Sequence, residues 1–353
     1  MRSRALTGAA AAGALALAGA LTSAPAAQAA TNDPLFEKLW GLQQVHAEQA
    51  WTSTTGAGAV VAVVDTGIDF AQPDLQGQIL QGATFTGCPA SQRPCGNGDY
   101  RGPDGENNAD EHGTHVAGTI AAVRGNGVGV VGVAPDAKIL PVKVLEDGSG
   151  SSEDIADGIR WAADHGADVV NLSLGSIPGG QLFSITGLDT AMQEAIAYAR
   201  TKGVLTVAAA GNTSTALCND PAFGSESICV GGTDRNGLHS WYSELPNKTD
   251  LKSVSAPGGA GLVNCDDDIW STVPRGTGSA GCGQADYDAY AGTSMATPHV
   301  AGVAALLFAQ GRTVDQVEDA LLSTAVTPGT GARGTYTPVY GYGVVDAQAA
   351  VTT

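Results

Sequence analysis
The chain has 353 residues, 43% of them hydrophobic, with 17 Lys and Arg against 35 Asp and Glu, a formal net charge of -18. Such acidity makes nucleic acid and anionic membrane poor partners, and the length is more than one small core needs. What remains is a large α/β domain with an acidic, solvated surface.

Taken in chain order, MRSRALTGAAAAGALALAGALTSAPAAQAA joins Arg2 and Arg4 to an apolar stretch and a small-residue end at Ala27-Gln28-Ala29, the composition of a cleaved secretory signal over 1–29. No later run is apolar for long enough to cross a bilayer, so residues 30–353 are expected to work outside the cell. From about residue 59, β-branched runs alternate with helical patterns. Strands are predicted at 59–65 (AVVAVVD), 138–145 (KILPVKVL), 167–174 (ADVVNLSL), 204–210 (VLTVAAA), 227–232 (SICVGG) and 251–256 (LKSVSA). Helices are predicted at 112–123, 151–166, 188–203, 293–311, 313–325 and 344–351. In the second of these, Ile155, Ile159, Ala162 and Ala163 share one face behind a polar Ser-Ser-Glu-Asp start. Strand-helix alternation specifies a doubly wound, mainly parallel sheet flanked by helices, in a single domain. Six Cys in an exported chain imply three disulfides. Many connectivities are open, and pairing of neighbours is expected (Cys88 with Cys95, Cys218 with Cys229, Cys265 with Cys282), since each pair brackets a loop rich in Gly, Pro, Ser or Asp.

Sheets of this kind bind ligands beyond the carboxyl ends of their strands. Asp65 closes the first strand, Leu174-Gly175 the third and Gly211-Asn212 the fourth, while His112 and Ser294 start helices that face the same rim. The Asp65-Thr66-Gly67 turn is also how an aspartic protease presents a carboxylate, but that chemistry needs two carboxylates sharing a proton in an all-β setting, and one such turn stands here among helices. HGTHVAG (His112 to Gly118) and GTSMATPHVAG (Gly292 to Gly302) follow the Asp, giving the order Asp, His, Ser. With these three motifs the chain resembles the subtilisin-like serine proteases, thermitase-like in its NDPLFEKLWGLQQVHAEQAW segment, from about Asn32 to the last helix.

The chemistry of the residues agrees with that resemblance. Ser294 is a poor nucleophile until a base takes its proton, His112 is the base type suited to neutral pH, and Asp65 can hold one ring nitrogen. His115 and His299, on the same helices, are expected to be structural. Asn212 can donate to developing negative charge together with the Ser294 N–H, and the family's Ala-Ala-Gly-Asn segment implies that role. Ala210 and Gly211 are small enough to leave a pocket for a substrate side chain. EDGSG (Glu146 to Gly150) and NLSLGS (Asn171 to Ser176) are similar to the family segments between which an extended peptide adds as a strand, which implies backbone binding at Gly148, Gly150, Ser173, Leu174 and Gly175 and broad specificity.

GVGVVG, Gly127 to Gly132, fits a dinucleotide fingerprint but follows a helix and precedes a strand, the reverse of the required context. RGNGVGVVGVAP instead resembles the family's calcium loop. That likeness implies Ca2+ on the carbonyls of Arg124, Val128 and Val130, the Asn126 amide and the carboxylates of Asp74 and Asp33. Two departures from the family stand out: no pro-region is expected between the expected signal and Asp65, and a long acidic stretch, CPASQRPCGNGDYRGPDGENNADE, separates Asp65 from His112 and is expected to edge the site. The function implied is a secreted endopeptidase that acts through an acyl-enzyme on polypeptides, as a monomer. A binding protein that kept the fold without catalysis is the alternative, and it would have no chemical use for the three side chains together.

Overall fold
The run ahead of Asp65 forms strand β1 (Val60–Asp65), buried at every position after Val60, as suits a central strand covered on both faces. The structure is a computed structural model, and it describes Met1 and residues 31–102, 110–175, 190–224 and 226–353. Positions 2–30, which hold the expected signal, positions 103–109 of the acidic stretch, positions 176–189 and position 225 lie outside the described residues.

Seven strands make a parallel sheet: β1, β2 (Ala83–Thr84), β3 (Lys138–Lys143), β4 (Val169–Leu172), β5 (Leu205–Ala209), β6 (Ser227–Thr233) and β7 (Ser253–Pro257), in the order β2-β3-β1-β4-β5-β6-β7. A two-stranded antiparallel ribbon, β8 (Ile269–Thr272) with β9 (Tyr287–Tyr290), stands apart from it. The helices are α1 (Trp40–Gln44), α2 (Ala47–Ala50), α3 (His112–Ala121), α4 (Ser152–Asp164), α5 (Ala191–Thr201), α6 (Thr293–Phe308), α7 (Val314–Thr324) and α8 (Ala347–Thr352). One apolar cluster packs α3, α6, α7 and α8 on one face of the sheet, and a second packs α4 and α5 on the other. Helix α6 is the deepest element, its residues Met295 to Leu307 all buried, and it reads as apolar all round because it has no solvent face.

Every predicted strand and helix is present, within a few residues at each end. The three disulfides join Cys88–Cys95, Cys218–Cys229 and Cys265–Cys282, the neighbour pairing expected. Strand β1 pairs with β3 on one side and β4 on the other. The chain winds outward in both directions from there, so the crevice beyond the carboxyl end of β1 is the place where such a sheet accepts a ligand.

Candidate active site
At the end of β1 the buried Asp65 carboxylate accepts from Thr66 N (2.7 Å) and faces the His112 ring, with Nδ1 at 2.8 and 3.0 Å from its two oxygens. Thr66 also fixes the entry of α3, because its hydroxyl accepts from Gly113 N at 2.9 Å. One strand end therefore holds both the imidazole and the helix that carries it. Burial works to lower the His112 pKa, but the Asp65 charge and hydrogen bond, with the Asp110 charge added, outweigh it, and the net shift is upward. His115 is buried, bonded to Ile269 O (2.9 Å) and stacked on Tyr290. Burial first, then the neighbouring His112, lowers its pKa to about 3. His299 bonds Met295 O at 2.8 Å, and burial lowers it to about 4. Neither carries charge near neutral pH.

Ser294 is the second residue of α6, and its hydroxyl donates to Ser173 O at 3.1 Å. The Ser173 hydroxyl in turn donates to Ser294 O at 2.8 Å. Pro298 explains the second bond. Being the sixth residue of α6, it lies beyond the turn whose N–H groups are spare, so its missing N–H leaves the Ser294 carbonyl without a helical donor. The Ser173 hydroxyl from the end of β4 takes that place. No local sequence pattern shows this coupling, because Ser173 and Pro298 lie far apart along the chain.

Asn212 points its Oδ1 at Thr293, accepting from the backbone N (2.8 Å) and the hydroxyl (3.0 Å). Its Nδ2 is thereby turned to the open side. A Cβ built on Gly292 would lie 3.5 Å from Asn212 Nδ2 and 3.7 Å from both Asn212 Oδ1 and Ser294 N, so the Asn212 amide and the Ser294 backbone N flank the same glycine. Thr293 was not among the sequence candidates, though it sits within the same Gly-Thr-Ser motif. Asp110 was also missed, one acid within an acid-rich stretch. It is buried, with an oxygen 3.4 Å from Gly148 N.

Gly148 and Gly150 follow β3 and are exposed, while Ser173, Leu174 and Gly175 follow β4 and come progressively to the surface. Between these segments β1 stops: the N–H groups of Val144 and Leu145 both reach back to Asp65 O, at 2.8 and 3.2 Å. Strands two places apart in a sheet lie about 9.5 Å from each other, which leaves a gap one strand wide beyond Asp65. Ala210 is buried and Gly211 half-buried at the end of β5.

On the far side, three distant segments meet. Gly125 N donates to both Asp33 oxygens (3.1 and 2.9 Å), and Asn126 Nδ2 (2.7 Å) and Val130 N (2.8 Å) donate to Asp74. Leu35 N bonds Gly129 O at 2.8 Å. Burial, with the nearby Asp33 adding to it, raises the Asp74 carboxyl to about 7 despite those hydrogen bonds. Among the described residues no hydrogen bond reaches the carbonyl oxygens of Arg124, Val128 or Val130, and no group of three or more acidic, His or Cys side chains stands together. Two buried carboxylates beside three open carbonyls form an oxygen donor set that fits a hard cation. Ligation through Asn126 would require its amide to turn over.

The sequence profile of the Subtilase family matches residues 56–343, and thermitase of Thermoactinomyces vulgaris is 40% identical over 83% of this chain and 91% of its own. The chain belongs to the subtilase family. This subtilase is also 39% identical to Subtilisin Savinase of Lederbergia lenta, over 88% of this chain and 97% of that one. Among solved structures, a protease of Pseudoalteromonas arctica has a TM-score of 0.74 at 36% identity, covering 91% of this chain and 98% of its own. Fervidolysin of Fervidobacterium pennivorans, a keratinolytic enzyme related to subtilisin, has a TM-score of 0.68 at 32% identity, covering 91% of this chain and 46% of that one. The subtilase is accordingly a serine endopeptidase.

Proposed function
We propose that Asp65, His112 and Ser294 are its catalytic triad, and the observation that carries this is the Asp65 carboxylate on His112 Nδ1 at the rim where Ser294 opens α6. A donor at Nδ1 leaves Nε2 as the base. The Ser294 hydroxyl leaves its bond to Ser173 O and gives its proton to Nε2 as Oγ attacks the peptide carbonyl. The carbonyl oxygen, now negative, takes hydrogen bonds from Asn212 Nδ2 and Ser294 N. His112 passes the proton to the departing amine, the C–N bond breaks, and an ester on Ser294 remains. Water, deprotonated by His112, then attacks the ester and restores the hydroxyl. Hydrogen bonds seldom have their reacting geometry before substrate arrives, which accounts for the resting contact with Ser173.

The substrate reads as an extended polypeptide filling the gap beyond β1, paired through its backbone with Gly148 and Gly150 on one side and Ser173, Leu174 and Gly175 on the other, a mode that tolerates many sequences. Ala210 and Gly211 wall the pocket for the side chain before the cleaved bond. We assign Ca2+ to the Asp33, Asp74 and 124–130 donor set, where it would neutralise the paired carboxylates and tie the N-terminal arm to the domain. Residues 1–29 are assigned to export, and the enzyme to the extracellular space as a monomer; among the described residues no helix is long and apolar enough to cross a membrane.

A fluorophosphonate reagent followed by peptide mapping tests the triad. Covalent label on Ser294 alone is expected, since only an activated hydroxyl attacks such a reagent at neutral pH. A folded sample that takes no label would show a fold retained without catalysis.

A further inference from the structure
Glu244 is a buried acid that the mechanism above does not use. It lies 2% exposed, directly behind the turn that carries Asn212. Its backbone N donates to Gly211 O at 3.0 Å, flanked by Ser214 N to Tyr242 O (2.9 Å) and Leu245 N to Thr215 O (2.9 Å), so residues 211–215 and 242–245 run as a pair. Its carboxyl bonds the Thr213 hydroxyl through Oε1 (2.5 Å), while Oε2 has no hydrogen-bond partner. That second oxygen occupies the space beside Gly211: a Cβ at 211 would fall 1.4 Å from it and 2.4 Å from the carboxyl carbon. Gly211 has φ of 115°, a conformation few side chains adopt, so residue 211 supplies no side chain and Glu244 fills the place from behind. Burial raises the Glu244 carboxyl, against the pull of the Thr213 hydroxyl.

A buried oxygen without a partner costs stability. A packed apolar residue would fill the same space without that cost, and what the carboxyl adds is a bond to Thr213, the residue after Asn212. We infer that Glu244 is a positioning residue for the oxyanion donor: it clamps the turn on both sides of Asn212, through Gly211 packing and the Thr213 hydroxyl, and so fixes where Asn212 Nδ2 points. This rests on the proposed role of Asn212.

The test compares Glu244→Ala, Glu244→Gln and Asn212→Leu, alone and combined, with active sites counted by fluorophosphonate. Misplacing a donor by a fraction of an ångström should lower kcat of Glu244→Ala by about tenfold with KM within about twofold, and Glu244→Gln, which keeps shape and the Thr213 bond, should recover most of it. In the Asn212→Leu background the Glu244→Ala change should cost almost nothing further, because both act on one donor. A Glu244→Ala enzyme with kcat intact, or one losing the same factor in both backgrounds, overturns the inference. Should Glu244→Ala fail to fold, Thr213→Val carries the same comparison. If Asn212→Leu itself leaves kcat unchanged, the oxyanion assignment falls and this inference with it; if only Glu244→Ala leaves it unchanged, the inference falls alone.

Discussion
At His112 two opposing effects meet, and the sign of their sum has a measurable consequence. Burial disfavours the imidazolium, while Asp65 and then Asp110 favour it, and the carboxylates win. Below its pKa the ring holds a proton at Nε2 and cannot act as base, so kcat/KM should fall with decreasing pH through a midpoint above the ordinary 6.5. Asp110→Asn removes one of the charges that favour the imidazolium and should move that midpoint down. A pH profile of kcat/KM checks both statements, and an unmoved limb in Asp110→Asn would remove Asp110 from the account. The limb belongs to His112, because burial keeps His115 and His299 neutral. Asn212 supplies the second test at this scale. Asn212→Leu should lower kcat by about 10²- to 10³-fold with KM little changed, the effect that loss of one such donor has in subtilisin itself.

Among the elements, α3 and α6 carry the base and the nucleophile, and each is fixed by a partner that sequence periodicity could not name. Helix α3 lies against β8, whose Ser271 and Thr272 hydroxyls donate to His115 O (2.7 Å) and Thr114 O (2.8 Å). Gly118 permits that approach, since a Cβ there would fall 2.2 Å from Thr272 Oγ1 and 2.5 Å from Ser271 Oγ. Gly118→Ala should therefore destabilise the fold by about 1–3 kcal/mol through overpacking, read as a lower melting temperature. Helix α6 is tied to β4 through Ser173. Ser173→Ala leaves the Ser294 carbonyl without its replacement donor, at a cost of about 1–3 kcal/mol, and should lower kcat as the nucleophile loses its anchor. An unchanged kcat would show that Pro298 needs no such compensation. The elements missing from the sequence reading, β2, β8, β9, α1 and α2, span two to five residues each, too short for a period to show, and they exist because larger elements pack against them.

For the molecule as a whole, the Asp33, Asp74 and 124–130 cluster joins the N-terminal arm to the body. A cation that binds only the folded state stabilises it by RT ln(1 + [L]/Kd), about 4 kcal/mol at a thousandfold excess over Kd. Chelation should lower the melting temperature and open the arm to self-digestion, and Asp74→Asn should reproduce the loss with fluorophosphonate labelling of Ser294 retained. Metal-free protein, verified by elemental analysis, that melts where the calcium-loaded form does would remove the ion from this site.

By itself the sequence determined the sheet, its alternating helices and the identity of the Asp, His and Ser motifs, because apolar periodicity and motif chemistry are properties of contiguous residues; the pairing of neighbouring Cys was one of many open connectivities until the structure chose it. The tertiary structure decided which groups meet. The Asp65 and His112 contact follows from Thr66 pinning α3 to β1, the strand-wide gap follows from β1 ending between β3 and β4, and Pro298 is matched by a hydroxyl 125 positions earlier. Glu244 lay outside every motif, and its place behind Gly211 exists only because two segments far apart in sequence pair there. Contacts of this kind depend on distances between side chains remote along the chain, and no local pattern encodes them.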